Sequence, residues 1–333
     1  MSHPEQIDSE FAADMIAKHT REVSSEDLCT SPIVSVCVLT YNQEKLIREA
    51  IESVLVQDTK FPFEIVIGDD HSQDDTTEIV LEYQRNNPDR IRVLLAEENL
   101  GQHTGNGRFN FIRVVQACRG NYLALLEGDD YWTDSKKLQK QINALEEHPD
   151  WAICFHTTKI ISENGKPPAY DFPDGFSKDV STIEDLLFRN YIQTCSVVFR
   201  NELKGQFPEW YYRVAFGDWP LHVINAQFGD IGYLKETMAV YRRHASGIWT
   251  SRSQKQHKLA FLEAYDEFDH YLDAKYRDIV RQARREMVEW LCDEIDTLRN
   301  SRSYRLGKSI VWPLHRLWPG MKGARGPDNA DDK

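Results

Sequence analysis

Short apolar runs alternate with helical patterns along the first half of the chain. Each run is bounded by turn residues, which is typical of a buried strand. The predicted strands are Ile33–Thr40, Phe63–Ile67, Ile91–Ala96 and Tyr122–Leu126. Between them, apolar residues recur at helical spacing in 44–57, Ile79–Gln84 and Phe109–Cys118. This alternation predicts an α/β fold with a mostly parallel central sheet and helices on both faces.

The second half of the chain predicts shorter elements, followed by one long helix. Strands are predicted at Trp151–Ile161, Ser196–Phe199 and Ile231–Tyr241, and helices at Leu138–Glu147, Thr182–Phe188 and Asp218–Gln227. Residues 164–181 contain several Pro and Gly residues, which predicts a loop. The charged stretch Lys255–Arg299 has apolar positions at helical spacing, which predicts a C-terminal helical extension.

Length and composition limit the classes of protein that fit. The 333 residues are enough for one large α/β domain plus an extension. The formal net charge of -13 argues against a general nucleic-acid binder, because phosphate contacts need a basic surface. The six cysteines form no C-x-x-C pair, which argues against a zinc knuckle and favours a reducing compartment. We expect no signal peptide and no membrane-spanning segment.

Two pairs of acidic residues follow predicted strands. Asp69-Asp70 closes the second strand, and Asp129-Asp130 closes the fourth. Ligands of parallel sheets bind beyond the carboxyl ends of the strands, where both pairs fall. Carboxylates are the oxygen ligands that Mg²⁺ and Mn²⁺ prefer, so Asp129-Asp130 is a candidate metal site. The alternative for each pair is a helix cap or a solvated turn.

Three further features carry candidate chemistry. The glycine-rich segment Gly101–Gly107 can cradle phosphates with its backbone N–H groups, or it is a flexible loop without the spacing of known phosphate loops. Asp218, in Gly-Asp-Trp, is on its own a helix cap. His244 can bind metal or phosphate, or it is structural. The neighbouring Arg242 and Arg243 can offset phosphate charge or lie at the surface.

Together, four motifs resemble the family-two glycosyltransferases of the GT-A fold. They are P-I-V-S-V-C-V-L-T-Y-N at 32–42, I-G-D-D-H-S-Q-D-D-T at 67–76, N-L-G at 99–101 and R-G-N-Y-L-A-L-L-E-G-D-D-Y-W at 119–132. The resemblance covers roughly residues 32–250. It implies a GT-A-like fold and a transferase that uses a nucleotide-sugar donor with divalent Mn²⁺ or Mg²⁺.

The resemblance implies a role for each matching residue of the donor half. Tyr41 and Asp70 fall where the family holds the uracil or other base of the donor, and Asp69 supports that turn. Asp130 falls at the metal-binding member of the acidic motif. Asp129 faces the donor ribose or the metal.

Later positions complete the expected site. Asp218 matches the acidic motif that supplies the catalytic base, and His244 falls near a histidine that contacts metal or pyrophosphate in some members. We also expect Thr40 and Arg243 among the donor-binding residues. Two departures from the family pattern, His71 after the first acidic pair and a longer segment from Gly101 to Asn110, leave the donor sugar open.

The predicted organisation has four parts. Residues 1–30 form a polar leader with one short helix, and the ordered domain begins at Pro32. Residues 31–250 form the GT-A-like domain, with a nucleotide-sugar-binding half at 31–132 and an acceptor half at 133–250. A helical extension at 251–300 and a basic, aromatic tail with a polar end at 301–333 follow.

The sequence therefore predicts an inverting glycosyltransferase that moves a sugar from a nucleoside-diphosphate-sugar, with UDP-sugar favoured, to an acceptor hydroxyl in cell-surface polysaccharide or glycolipid assembly. The alternatives are a nucleotidyltransferase and a catalytically inactive nucleotide-sugar-binding protein. A nicotinamide dehydrogenase is disfavoured, because no G-x-G-x-x-G follows the first strand.

The tail suggests where the protein works. Residues 299–325 contain seven Lys or Arg residues and no Asp or Glu, with Trp312 and Trp318 among them. Such a composition suits the surface of an anionic membrane, and a packing helix or a disordered tail is the alternative. We expect a cytoplasmic protein with contact to the inner face of the membrane, acting on a glycan or a lipid-linked glycan acceptor.

Overall fold

The computed structural model describes residues 8–163, 168–244 and 254–300, without the side chains of 254, 255, 258 and 293–300. By internal contacts the chain divides into two compact units, Met1–Val280 and Arg281–Lys333. The predicted tail, residues 301–333, lies outside the described residues, and the predicted halves of the domain stay a prediction.

The first unit is built on one mixed sheet. Its strands are β1 (Thr20–Val23), β2 (Val34–Thr40), β3 (Phe63–Asp69), β4 (Ile91–Ala96), β5 (Tyr122–Glu127), β6 (Tyr131–Trp132), β7 (Trp151–Ser162), β8 (Tyr170–Phe172), β9 (Val180–Ser181), β10 (Val198–Arg200) and β11 (Asp230–Arg243). The order across the sheet is β1-β4-β3-β2-β5-β10-β7-β11-β6, with β8 beside β7 and β9 beside β11. Strands β4, β3, β2 and β5 are mutually parallel, as are β7 and β11, and β10 runs antiparallel between the two sets.

Most helices lie where the sequence predicted them, whereas α4 falls in the glycine-rich segment, for which no helix was predicted. They are α1 (Ser9–His19), α2 (Ile47–Leu55), α3 (Thr76–Asn86), α4 (Gly101–Thr104), α5 (Arg108–Ala117), α6 (Lys137–Glu147), α7 (Ile183–Phe188), α8 (Asp218–Asn225), α9 (Gln254–Tyr271) and α10 (Arg277–Asn300). Short 3₁₀ turns occupy Thr194–Ser196, Glu209–Tyr212 and Ala274–Tyr276. The predicted cap of α7 is present, because Thr182 and Asp185 form a reciprocal capping box.

The core explains why the first strands lack an alternating pattern. Val36 of β2 and Ile65 of β3 pack with Ile51 of α2 in one buried cluster. On the other face of β2, the Cys37 thiol lies 3.3 Å from the Cys118 thiol, which follows α5. Strands covered by helices on both faces are apolar throughout. The predicted GT-A-like α/β fold, with its mostly parallel sheet, is confirmed.

Three local predictions need correction. The polar leader contains β1, which pairs with β4, so the ordered domain does not begin at Pro32. The predicted loop at 164–181 contains β8 and β9, although its residues 164–167 lie outside the described part. The predicted long helix is interrupted by the 3₁₀ turn Ala274–Tyr276, between α9 and α10.

Helix α9 belongs to the first unit and packs behind α8. Tyr265 and Phe268 contact the Trp219 ring edge-on, each with ring centroids 5.2 Å apart. The Tyr265 hydroxyl donates a hydrogen bond of 2.7 Å to the backbone oxygen of Leu187. Within the described residues, no helix is both long enough and apolar enough to cross a membrane.

Candidate active site

The carboxyl ends of three neighbouring strands meet at one edge of the sheet. Thr40, at the end of β2, lies opposite Asp69, at the end of β3. On the other side of β2, the N–H of Gly128 donates a hydrogen bond of 2.7 Å to the backbone oxygen of Leu39. Both acidic turns therefore open onto the same edge, where ligands of parallel sheets bind.

Tyr41 projects from this edge, with 44% of its surface exposed, whereas Thr40 is buried. The next residue, Asn42, has a φ of 52°, a conformation that Asn tolerates better than most residues. Its N–H bonds to Ser72 Oγ at 2.9 Å, and its Oδ1 accepts the N–H of Gln73 at 2.7 Å. These bonds join the two turns and hold the Tyr41 side chain at the edge.

Asp69 and Asp70 are both buried and both bonded within the protein. Asp69 accepts hydrogen bonds of 2.5 Å from the hydroxyls of Ser72 and Thr77, so it supports the turn, as the resemblance implied. The two Asp70 oxygens accept the backbone N–H groups of Leu100 and Gly101, at 2.8 and 3.0 Å. The Asp70 carboxylate thus holds the chain at the start of α4, and its contact with a donor base stays a prediction.

The glycine-rich segment forms a compact turn. Gly101–Thr104 is the helix α4, and Gly105 ends it with a φ of 67°. Because the N–H of Gly101 already donates to Asp70, this part of the segment is used internally rather than offered to a phosphate.

Asp129 and His244 lie together, and both side chains are partly exposed. The Nε2 atom of His244 donates a hydrogen bond of 2.7 Å to Oδ2 of Asp129, and their side chains are 16% and 18% exposed. The Asp129 carboxylate raises the pKa of His244. Two predicted site residues, far apart in sequence, are thereby brought into direct contact.

Asp130 lies behind this pair, with none of its surface exposed. Its Oδ1 accepts the backbone N–H of Arg242 at 2.9 Å. Burial, together with the charges of Asp129 and Glu127, raises the pKa of Asp130 well above its ordinary value. The Asp130 carboxyl is turned into the protein and bonded to β11 through Oδ1, so Asp129 is better placed to reach a cation, and the metal role of Asp130 stays a prediction.

Arg242 fixes the shape of the acidic turn. Its Nη1 donates a hydrogen bond of 2.9 Å to the backbone oxygen of Asp129, and its guanidinium forms an ion pair with Glu49. The guanidinium carbon also lies 4.3 Å from the centroid of the Tyr131 ring. Of the two arginines at this position, Arg242 is the one that contacts the turn. A role for Arg243 in donor binding stays a prediction.

Glu127, the last residue of β5, is a member of the site that the sequence analysis did not single out. Burial and the neighbouring charge of Asp129 raise its pKa to about 8. The charge of Asp218 contributes in the same direction. The charges of the acidic turn and of Asp218 therefore both act on the Glu127 carboxyl. Its place at the end of an apolar strand, in the motif E-G-D-D, was the signal available in the sequence.

Asp218 is the first residue of α8, after the N-cap Gly217. Its Oδ2 accepts a hydrogen bond of 3.2 Å from Nδ2 of Asn190, a second residue that sequence reasoning missed. Burial raises the pKa of Asp218, while its bonds to backbone N–H groups and the charge of Arg108 act against that rise. A carboxylate with a raised pKa is a better proton acceptor than an exposed one.

The acidic cluster fits a divalent cation bound with a diphosphate. Asp129 supplies a carboxylate oxygen, which suits Mn²⁺ and Mg²⁺, and His244 adds an imidazole nitrogen, a donor that transition-metal ions take more readily than Mg²⁺ does. Within the described residues, no group of three or more His, Cys, Asp or Glu side chains forms a complete cation cage. A two-residue site completed by substrate phosphates is the arrangement in which Mg²⁺ is commonly bound.

This fold and this site define a GT-A-type protein with an acidic centre at the strand ends. The profile described as Glycosyl transferase family 2 matches residues 35–205. The chain belongs to this family.

Two relatives illustrate how far the likeness extends. An uncharacterized protein of Mycobacterium tuberculosis is 45% identical over 218 residues, which are 66% of this chain and 61% of that protein. The chain thus spans about three fifths of that relative's length. TuaG of Bacillus subtilis, named as a teichuronic acid biosynthesis glycosyltransferase, is 28% identical over 249 residues, 74% of this chain and 92% of its own.

Solved structures share the fold. Residues 1–349 of Staphylococcus aureus TarS, in complex with UDP-GlcNAc, align with a TM-score of 0.56 at 21% identity over 77% of this chain and 71% of that one. The mannosyltransferase PcManGT of Pyrobaculum calidifontis, in complex with GDP-Man and Mn²⁺, aligns with a TM-score of 0.54 at 16% identity over 93% of this chain and 94% of that one. Likeness at such identities establishes the fold alone.

Proposed function

We propose that this chain is a metal-dependent, inverting glycosyltransferase that moves a sugar from a nucleoside-diphosphate-sugar to an acceptor hydroxyl. The observation that carries the proposal is the acidic cluster at one edge of the sheet. There, the Asp129–His244 pair lies beside Glu127, whose pKa responds to both Asp129 and Asp218. Membership of glycosyltransferase family 2 supports the same reaction class.

The proposed metal ligands are Asp129 and His244, in place of Asp130. Both side chains are partly exposed, and together they offer one carboxylate oxygen and one nitrogen. Mn²⁺ or Mg²⁺ bound there would offset the negative charge that develops on the leaving diphosphate. Asp130 and Arg242 then form the scaffold behind the ligands, since Asp130 bonds to the Arg242 backbone.

Asp218 is the proposed general base. Its carboxylate accepts the proton of the acceptor hydroxyl, and that oxygen attacks the anomeric carbon from the face opposite the diphosphate, so the configuration inverts. Asn190 orients the carboxylate through its hydrogen bond to Oδ2. General-base assistance of this kind contributes roughly 10²–10⁴-fold to the rate.

The donor nucleoside is proposed to bind at the ends of β2 and β3. Tyr41 presents an exposed ring there for stacking on a base, beside the buried Thr40. Asp70 shapes the pocket through the backbone of Leu100 and Gly101. We also assign Arg243 to this site, as a cation near the diphosphate. UDP-sugars are the favoured donors, and the UDP-GlcNAc complex of TarS supports testing them first.

The proposed acceptor is a glycan or a lipid-linked glycan. TuaG is named as a teichuronic acid biosynthesis glycosyltransferase, which supports an acceptor of this chemistry. The proposed site of action is the cytoplasm, at the inner face of the membrane, with contact through the basic residues 299–325. Liposome sedimentation of full-length and tail-deleted protein tests that contact, and equal pelleting would overturn it.

Donor turnover tests the function directly. Purified protein is incubated with a panel of UDP-, GDP- and other nucleotide sugars, with Mn²⁺ or Mg²⁺, and release of the nucleoside diphosphate is measured. The proposal predicts cation-dependent turnover of at least one donor, lost in Asp218→Asn and accompanied by an inverted linkage in the product. Release of pyrophosphate would instead indicate a nucleotidyltransferase. Donor binding without turnover of any acceptor tested would indicate an inactive binding protein.

A further inference from the structure

Two side chains at the start of α5 reach across to the chain segment that precedes Asp218. Nδ2 of Asn106 donates a hydrogen bond of 3.1 Å to the backbone oxygen of Ala215. Nη1 of Arg108 donates one of 2.7 Å to the backbone oxygen of Tyr211. Both acceptors lie just before the proposed base, so α5 anchors the segment that delivers it.

Arg108 is buried, with 4% of its surface exposed. Its guanidinium carbon lies 4.9 Å from the centroid of the Tyr211 ring, and the Tyr211 hydroxyl donates a hydrogen bond of 3.2 Å to the backbone oxygen of Gly217. A Cβ placed on Gly217 would lie 3.8 Å from Nη2 of Arg108. The guanidinium therefore adjoins the residue immediately before Asp218.

Burying an arginine is costly unless its charge is compensated. Here the charge has an evident counterpart, because Arg108 lowers the pKa of Asp218 against the rise that burial causes. The groups that act on Asp218 come from several elements. Glu127, at the end of β5, adds negative charge only when it is ionised, above its raised pKa of about 8, and Asn190 donates its hydrogen bond. Arg108 supplies the positive charge that favours the ionised, proton-accepting carboxylate.

We propose that Arg108 is a positioning residue for Asp218, which anchors the segment 211–217 and holds a positive charge beside the base. The inference rests on the function proposed above. It also assigns a role to the glycine-rich segment Gly101–Gly107. Pinned by Asp70 at its start, this turn brings Asn106 and Arg108 against the acceptor side instead of cradling a phosphate.

The pH dependence of kcat separates this role from a purely structural one. A base must be ionised to act, so the acid limb of the profile follows the pKa of Asp218. Arg108→Met removes the charge that lowers the pKa of Asp218, so the acid limb is expected to move to higher pH. Arg108→Lys keeps the charge but not the planar donor geometry, so kcat falls by about tenfold or more while the acid limb stays near that of the wild type.

Donor affinity and fold are measured alongside. Calorimetry with donor and Mn²⁺ is expected to give the same Kd for the wild type and both Arg108 variants, because the Arg108 side chain contacts Tyr211, in the segment before Asp218. Arg92 provides the matched control, since it is also buried and donates two hydrogen bonds of 3.0 Å to Glu22 at the far edge of the sheet. Arg92→Met tests loss of a buried arginine elsewhere, and its acid limb is expected to match the wild type.

An unmoved acid limb in folded Arg108→Met would overturn the proposal. If Arg108→Met does not fold, the kcat of Arg108→Lys tests the proposal instead. A kcat equal to that of the wild type in Arg108→Lys would overturn the positioning role. Failure of the proposed function would look different. In that case the wild type would transfer no sugar, or Asp218→Asn would remain fully active, whatever the Arg108 variants do.

Discussion

Nε2 of His244 and Oδ2 of Asp129 lie 2.7 Å apart, joining the chain after β11 to the turn after β5. No local sequence pattern links residues 115 positions apart. The sheet creates the contact, because β11 pairs antiparallel with β6, the strand that directly follows the turn. The account of the metal site depends on this relationship, because it makes His244 the partner of the partly exposed Asp129 carboxylate.

Replacing the proposed base tests the chemistry separately from binding. Asp218→Asn is expected to lower kcat by roughly 10²–10⁴-fold, because the amide cannot accept the proton of the acceptor hydroxyl. In the wild type, burial raises the pKa of Asp218, so the acid limb of the kcat profile is expected above the ordinary carboxylate range. Steady-state kinetics across pH measures both effects. Full activity in the variant, or a limb near the ordinary pKa of aspartate, would contradict the assignment.

Arg242 is expected to stabilise the acidic turn. Arg242→Lys keeps a positive charge but loses the paired contacts to the Asp129 backbone and to Glu49, so we expect a loss of about 1–3 kcal/mol in unfolding free energy and weaker donor binding. Glu49→Gln is the control, because Glu49 is 53% exposed and such ion pairs contribute about 0–1 kcal/mol. Denaturant titration measures the difference, and equal losses in the two variants would remove the special role of Arg242.

Gly128 is required by the close approach of β2 and α2 to the turn. A Cβ at this position would lie 2.4 Å from Gln43 Oε1, 2.9 Å from Ile47 Cδ1 and 3.1 Å from the backbone oxygen of Leu39. Gly128→Ala is expected to cost about 1–3 kcal/mol of stability and to impair donor binding. Gly107→Ala meets no atom within 4 Å, and only the weaker preference for Ala at this N-cap acts against it, so the loss should stay below about 1 kcal/mol. Similar unfolding midpoints for the two variants would contradict this prediction.

Lys137 of α6 gives the protein a pH-dependent stability. The side chain is fully buried, with its Nζ 2.8 Å from Oε1 of Gln141 and 4.0 Å from the centroid of the Trp132 ring. Burial lowers its pKa from 10.5 to about 7. Between these values the unfolded chain holds a proton that the folded chain has released, so this contribution to stability grows as the pH rises from about 7 towards 10.5.

The variant Lys137→Met lacks this titration. Relative to the variant, the wild type should therefore gain stability when the unfolding free energy is measured at pH 9.5 instead of pH 6. Lys45→Met changes the net charge equally at an exposed position and serves as the control. A constant difference between wild type and Lys137→Met across this range would show that the buried amine does not release its proton.

The sequence predicted the first strands and helices well, because the strands are uninterrupted apolar runs and the helices carry apolar residues at helical spacing. The predicted strand Ile91–Ala96 matches β4 at both ends. The sequence pattern did not predict β1, because the edge strand Thr20–Val23 is mostly polar. This strand is held by pairing with β4 and by the ion pair of Glu22 with Arg92. Edge strands commonly carry charge, so no apolar run marks them.

The sequence predicted individual residues of the site but not the contacts between them. The resemblance indicated Asp129, Asp130 and Asp218. It could not decide between Asp129 and Asp130 as the proposed metal ligand, because that choice depends on how deeply each side chain is buried in the fold. Glu127 escaped notice because it ends an apolar run and gains its raised pKa from Asp129 and Asp218, which fold against it. Contacts between distant segments, and the desolvation they cause, are properties of the assembled fold.

The most direct test compares the two members of the acidic pair. Calorimetry is performed with nucleoside-diphosphate donor and Mn²⁺ on the wild type, Asp129→Asn and Asp130→Asn. Asparagine mimics the protonated form of the buried Asp130 and can still accept the Arg242 N–H, so this variant should bind the donor with cation nearly as the wild type does. Asp129→Asn should lose cation-dependent binding. The reverse order, or undiminished binding in Asp129→Asn, would contradict the central claim that Asp129 and His244 hold the cation.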